Sequence, residues 1–209
     1  MFFFREMRQV KNLSISLLIV LFHITLISSC GPRAFTEGDY DDPNRVELLD
    51  DRWNEADMQK MADSVVSTII GCRAVSRSAI RPVVLVDRVQ NRSMEHVDTK
   101  ALTDKIRFAL INSGKIRFVN KERRGAIAEE YEYQQSGMVD PVSAKKAGEQ
   151  TGADYFLSGA LHSNVQEVGG RKLIYYKLNM NLTNLKTSEL DCVAEEEIRK
   201  VFKKKRVGL

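Results

Sequence analysis

Arg81-Pro82-Val83-Val84-Leu85-Val86-Asp87-Arg88-Val89 is the stretch on which the fold class turns. Its middle is a short, nearly continuous run of apolar side chains with no polar residue between them, and such a run fits a strand covered on both faces. A strand of that kind belongs inside a sheet. Pro82 is admissible only at its start, where a missing N–H removes nothing from the ladder. The next segment, Gln90 to Val97, places Asn91, Arg92, Ser93, Glu95 and His96 just past the carboxyl end of that strand, where α/β folds commonly carry binding groups. The same residues also fit a turn in which Asn and Ser satisfy their own backbone.

Upstream of this strand, Asn54 is a helix N-cap with Glu55 and Asp57 in the first turn. Met58, Met61, Ala62, Val65 and Ile69 then recur at helical spacing up to a break that begins at Gly71. Downstream, Asp98 or Thr99 caps a second helix whose inward stripe is Leu102, Ile106, Ala109 and Leu110, and Gly114 suits the left-handed position past its end. A brief strand follows at Ile116 to Val119. Asn120 then caps a third helix running to about Gln134, with Ile127 and Tyr131 inward and Gly125 as a local weakness. Asp140 as N-cap, Pro141 at the first helical position and Gly152 as terminator frame a fourth helix, whose Ala144, Ala147, Gly148 and Thr151 form a small-residue face.

The last third differs in kind. Ala153 to about Val165 and Leu173 to Leu185 read as two long strands joined through Gly169-Gly170 in an antiparallel hairpin. In the second, Ile174, Tyr176, Leu178, Met180 and Leu182 point one way and Lys177, Asn179, Asn181 and Thr183 the other, so one face is wet. Leu190 to about Arg199 adds a further strand, which Glu195-Glu196-Glu197 makes an edge. The expectation is an α/β fold: a single three-layer domain with a mixed sheet of about four to five strands and flanking helices.

The N-terminus carries an address. Leu26-Ile27-Ser28-Ser29-Cys30 has the form of a lipobox, an aliphatic residue three positions before a cysteine with small residues between. Arg5, Arg8 and Lys11 form a basic n-region ahead of an apolar run from Leu13 to Ile27. At about 15 residues that run is shorter than a permanent membrane span needs. The expected organisation is a lipoprotein signal peptide over 1–29, lipid attachment at Cys30, a flexible tether over 30–52, the folded domain over 53–202 and a basic tail over 203–209. The tether, rich in Asp, Glu, Gly and Pro, reaches about 70 Å fully extended and about 25 Å as a relaxed coil. Gly31 lacks the Asp that marks inner-membrane retention in some bacteria, which favours the outer membrane. Once Cys30 is lipidated, Cys72 and Cys192 remain. They pair if the fold brings them close, although the apolar context of each makes two buried thiols the simpler reading.

A net charge of +4 on 209 residues is not a nucleic-acid signature. No catalytic signature, phosphate loop or C-x-x-C pair is present. Of the three histidines, only His96 and His162 lie beyond the leader, on separate elements, without the clustering that a metal site needs. Asp87 and Asp98 bracket the loop after the first strand, as structural acids do at strand ends and helix caps. No enzymatic activity, cofactor or metal is expected.

Several blocks taken together resemble the LpoB family of outer-membrane lipoproteins, activators of a bifunctional class A penicillin-binding protein. They are Arg81 to Val86, Asn91-Arg92-Ser93 with His96, Asp98 and Thr99, Leu102 to Arg107 and Gly114 to Val119. Two later blocks agree: Gly152-Ala153-Asp154-Tyr155 running to Gly159, and Tyr175-Tyr176-Lys177 leading into Asn181 to Thr187 and Glu189. The resemblance implies a TolB N-terminal-like α/β domain that docks on a small domain of the synthase and stimulates glycan polymerisation and peptide crosslinking. It implies a lipid-anchored position on the periplasmic face of the outer membrane, with the class A penicillin-binding protein as partner and no nucleic acid. Position and chemistry alone nominate Asn91, Arg92, Ser93 and His96 as partner-binding residues. The alternative is an envelope lipoprotein acting as a scaffold or secretion-pore accessory, again without enzymatic activity.

Overall fold

In the computed structural model, the described residues are 38–42, 45, 47, 48 and 50–204. The chain divides into two compact units, Met1–Pro43 and Asn44–Leu209. The leader, Cys30, half of the tether and the end of the basic tail lie outside the described residues. In the first unit, residues 38–42 are exposed and without regular structure.

The described residues of the second unit form eleven helical and strand elements. Helix α1 (Glu55–Gly71) starts at a capping box in which the Asn54 side chain and the Asp57 carboxylate each accept the other's backbone N–H, satisfying two donors that a helix start otherwise leaves open. It buries Met61, Ala62, Val65, Val66 and Ile69. A short helix α2 (Arg73–Ser76) follows, then β1 (Val83–Val86) and β2 (Gln90–Arg92). Helix α3 (Thr99–Asn112), capped by Asp98, buries Leu102, Ile106 and Leu110, as the spacing predicts. Strand β3 (Arg117–Val119) leads through a 3-10 turn (Lys121–Arg123) into α4 (Arg124–Gln135). Three long strands close the domain: β4 (Tyr155–Val168), β5 (Arg171–Asn184) and β6 (Leu190–Lys203).

The sheet has six strands in the order β3-β1-β4-β5-β6, with β2 also paired to β4. Pairings of β1 with β3, β1 with β4 and β2 with β4 are parallel, while the two pairings of β5 are antiparallel. Thus β1 is an interior strand, as its apolar run requires, and β6 is an edge. The sixth strand comes from β2: Asn91 and Arg92, expected in a loop, pair with Leu161 and His162. Nothing apolar announces β2, since all three of its residues are exposed. It forms because β4 extends well past β1 and offers it an open ladder.

One sheet face carries Leu157, Leu161, Ile174, Tyr176, Leu178, Met180, Leu182, Ala194 and Ile198 into a core shared with α1 and α3. On the other, Lys177, Asn179, Asn181 and Thr183 are half-buried. Burial alternates along β5 as a strand with unlike faces demands. Gly159 faces Met180 in this register, and a Cβ there would run into the Met180 sulfur and the Asn179 carbonyl.

Three further expectations change. Ile127 is 38% exposed and Tyr131 half-buried, and α4 buries none of its residues, although both side chains were expected inward. The fourth helix is absent: Ser143 and Ala144 donate to the Asp140 carbonyl, but turns replace the helix and Gly148 takes a positive φ of 92°. A stripe of Ala and Gly offers too little apolar area to hold a helix against its nucleation cost. Finally, Cys72 and Cys192 are joined as a disulfide, Cα to Cα 6.1 Å, rather than standing as two thiols. Cys72 ends α1 and Cys192 sits in the buried row of β6, so helix and edge strand are stapled where they pack.

Candidate functional site

The segment after β1 is rigid for local reasons. Asn91 Nδ2 donates to the Glu95 carbonyl at 2.9 Å, while its Oδ1 accepts from the Ser93 N–H at 2.9 Å and the Ser93 hydroxyl at 2.6 Å. This is an Asx turn, in which a short side chain replaces a backbone partner. The Met94 N–H donates to Ser163 Oγ on β4 at 2.9 Å. At the far end Asp98 accepts from the Lys100 and Ala101 N–H groups, so the turn runs directly into α3. Asn91 and Ser93 therefore spend their polar groups inside the loop. Arg92 projects from β2, with Nη2 donating to Gln90 Oε1 at 2.9 Å, and His96 is exposed. Met94, 78% exposed, stands between them.

Beneath the loop lies a polar knot that the sequence did not announce. The Glu95 carboxylate accepts from the Trp53 N–H at 2.9 Å and from the Tyr176 hydroxyl at 2.5 Å. The Trp53 and Tyr176 rings meet edge to face, centroids 5.3 Å apart, a favoured aromatic geometry. Burial, reinforced by the bond to Glu95, raises the pKa of Tyr176, so the phenol stays a donor. Lys200, 3% exposed, pairs with Asp57, also buried, at 2.5 Å and donates to the Arg52 carbonyl at 2.7 Å. Its ammonium lies 5.7 Å from the centre of the Tyr176 ring. The knot fastens together the loop, the point where the chain enters the domain, and strands β5 and β6. Lys200 was findable: it falls in the inward row of β6 with Cys192, Ala194 and Ile198, at a spacing of two. Glu95 carried no comparable signal.

Register places Arg92 beside His162, His162 beside Lys177 and Lys177 beside Glu197, a row crossing four strands on the open sheet face. Lys177 is 2.6 Å from Glu195 and 3.9 Å from Glu197. Tyr175 donates to Glu197, which pushes its pKa up to about 12. The two acids that bracket the loop have structural partners: Asp98 caps α3, and Asp87 pairs with Lys121 at 2.7 Å. Among the described residues no group of three or more His, Cys, Asp or Glu is arranged to hold a metal. The fold thus offers a rigid polar loop whose outward groups are Arg92, Met94 and His96, continuous with a sheet face through His162. Such an arrangement suits contact with another macromolecule.

Residues 54–198 match the family model of the peptidoglycan-synthase activator LpoB. The chain belongs to the LpoB family. The LpoB match begins at the cap of α1 and ends at Ile198 in β6, so it contains the whole loop and all six strands apart from the end of β6. No curated protein matches by sequence. Among solved structures, the LpoB C-terminal domain from Salmonella enterica is similar with 19% identity and a TM-score of 0.46, covering 69% of this chain and 99% of that one. For the LpoB C-terminal domain from Escherichia coli the values are 21%, 0.44, 69% and 99%. For the NMR structure of Escherichia coli LpoB they are 20%, 0.41, 82% and 85%. LpoB proteins regulate peptidoglycan synthesis as activators of a synthase, the role that the sequence blocks suggested.

Proposed function

We propose that this chain is an outer-membrane lipoprotein, anchored through Cys30 on the periplasmic face, that binds a class A penicillin-binding protein and raises its synthetic activity. The observation that carries the reading is the family match over nearly the whole folded unit. The lipobox ending at Cys30 is consistent with it, and so is a domain whose candidate site is a rigid projecting loop. In this reading residues 1–29 are removed and 30–52 form the tether. The docking surface is built on Asn91, Arg92, Ser93 and His96. Arg92 and His96 face the partner, while Asn91 and Ser93 hold the loop in shape. Arginine is enriched among residues that dominate interface energies because its fork makes several directed bonds once desolvated.

The test is a pull-down of envelope proteins with the leaderless chain, followed by titration against the recovered synthase. A class A penicillin-binding protein is expected in the eluate, and Arg92→Ala with His96→Ala is expected to weaken its binding by ten- to a hundredfold, roughly the range of an interface hot spot. Asn91→Ala weakens it through the loop, with protection of the Ser93 and Glu95 amides from hydrogen exchange lost in parallel. Unchanged affinity in the double variant removes the loop from the interface while leaving the family role intact. Recovery of a secretion pore instead of a synthase would move the chain to the scaffold reading.

A further inference from the structure

The turn between β4 and β5 is chemically unlike the rest of the surface. Gly169 and Gly170, both at positive φ, carry the hairpin round, and Val168 beside them is 76% exposed. Register sets Arg171 directly opposite Lys203. Lys204 follows, its N–H bonded to the Gly170 carbonyl at 2.8 Å. Like charges facing each other across a ladder destabilise it, and no carboxylate among the described residues forms an ion pair with Arg171, Lys203 or Lys204. Lys172 is different, being 2.6 Å from Asp51 and 4.0 Å from Glu167. Val168, Arg171, Phe202, Lys203 and Lys204 line a shallow cavity of ≈ 520 Å³, and the sequence goes on with Lys205-Arg206.

We propose that this hairpin end is a membrane-contact site that takes the phosphate headgroups of anionic lipid. The cations supply the charge complement, with Arg171 offering a fork that matches phosphate oxygens. An exposed valine at the apex is of no use to a dissolved anion, but it can enter the boundary between headgroups and acyl chains, as the apolar side of interfacial segments does. Asp51, on the wall of the same cavity, marks where the chain reaches the domain from Cys30. On the lipoprotein reading of Cys30, a tether of relaxed span about 25 Å holds this end close to a bilayer and makes a weak contact effective, because the second attachment is intramolecular.

The contact has a regulatory consequence that rests on the docking reading above. Met94 is bonded to Ser163, which lies about 17 Å from Val168 along β4 at the rise of an extended strand. The candidate loop and the hairpin tip therefore lie within about 17 Å of each other along one end of the sheet, close enough that a folded partner seated on the loop also covers the approach to lipid. Membrane contact and partner contact exclude one another.

The test uses the leaderless, unacylated chain from residue 31, which retains the whole folded unit, with phosphatidylcholine vesicles made with and without phosphatidylglycerol. Sedimentation with the anionic vesicles is expected, with none on pure phosphatidylcholine. At about 1 kcal/mol per surface charge, replacing Arg171, Lys203 and Lys204 together by Gln lowers the partition coefficient roughly a hundredfold. Val168→Ser lowers it severalfold with the charges intact, and inorganic phosphate at the lipid concentration does not displace the protein. All four positions are at the surface, and a thermal melt at or above the wild-type value confirms that the variants fold. Failure of the wild type to sediment, equal binding by the triple variant, displacement by phosphate, or capture by a soluble acidic glycan in place of vesicles overturns the proposal. Adding the synthase releases the protein from the vesicles. If vesicle binding holds but no release follows, the lipid site stands and the exclusion does not.

Discussion

Lys200 and Asp57 form an ion pair so well buried that its two halves cannot be judged separately. Each charge has been taken out of water, and each is tolerable only because the other, the Arg52 carbonyl and the capping contact at Asn54 replace the lost hydration. Removing one partner strands the other, at a cost of about 3–5 kcal/mol, whereas replacing both with apolar residues leaves no stranded charge and costs only the contacts to the Asn54 N–H and the Arg52 carbonyl, about 1–3 kcal/mol each. Denaturant unfolding should therefore show a large loss for Lys200→Met, a similar loss for Asp57→Leu, and far less than their sum for the double variant. Losses that simply add would mean that the pair is not a unit. Tyr175 gives a second prediction at this scale. Its bond to Glu197 favours the neutral phenol and lifts its pKa from 10.0 to about 12. A raised folded-state pKa contributes stability that is present below the unfolded value and lost as pH climbs through the folded one. That contribution therefore fades between pH 10 and about 12. Spectroscopic titration of tyrosinate should find this late ionisation, and Glu197→Gln should move it back towards the ordinary tyrosine range.

At the scale of elements, legibility follows how one-sided each segment is. The β5 strand could be read residue by residue because one face is core and the other half-wet, so polarity and direction change together. The first two main helices could be read because their caps and their apolar stripes agree. Where burial does not accompany pattern, reading failed. Ile127 and Tyr131 stand at helical spacing but are not buried, because among the described residues α4 packs closely only on the 3-10 turn that leads into it. Residues 140–152 have a cap, a proline and a terminator, yet too little apolar surface between them to reward a helix. The β2 strand exists only because β4 presents its neighbour, a fact about topology that three polar residues cannot encode. The candidate loop was legible in position and in Arg92 and His96, but Asn91 and Ser93 proved to be occupied with each other. Its foundation on Glu95, Tyr176 and Trp53 joins residues far apart in sequence, and only the folded chain brings them together.

For the molecule as a whole, the link between Cys72 and Cys192 spans a sequence separation of 120 residues. In the chain-entropy account a loop of that size is worth about 4–5 kcal/mol, a large share of the stability of a domain of this kind. Reduction, or Cys72→Ser with Cys192→Ser, should lower the melting temperature by more than 10 °C, at about 4–8 °C per kcal/mol for small domains and less for larger ones. A melt that is unmoved by reductant would show that packing of α1 on β6 suffices by itself. The positions of the two sulfurs also set an order of events. Helix α3 and strands β1 to β5 all lie between the two cysteines, so the staple cannot close until every one of them has been delivered to an oxidising space.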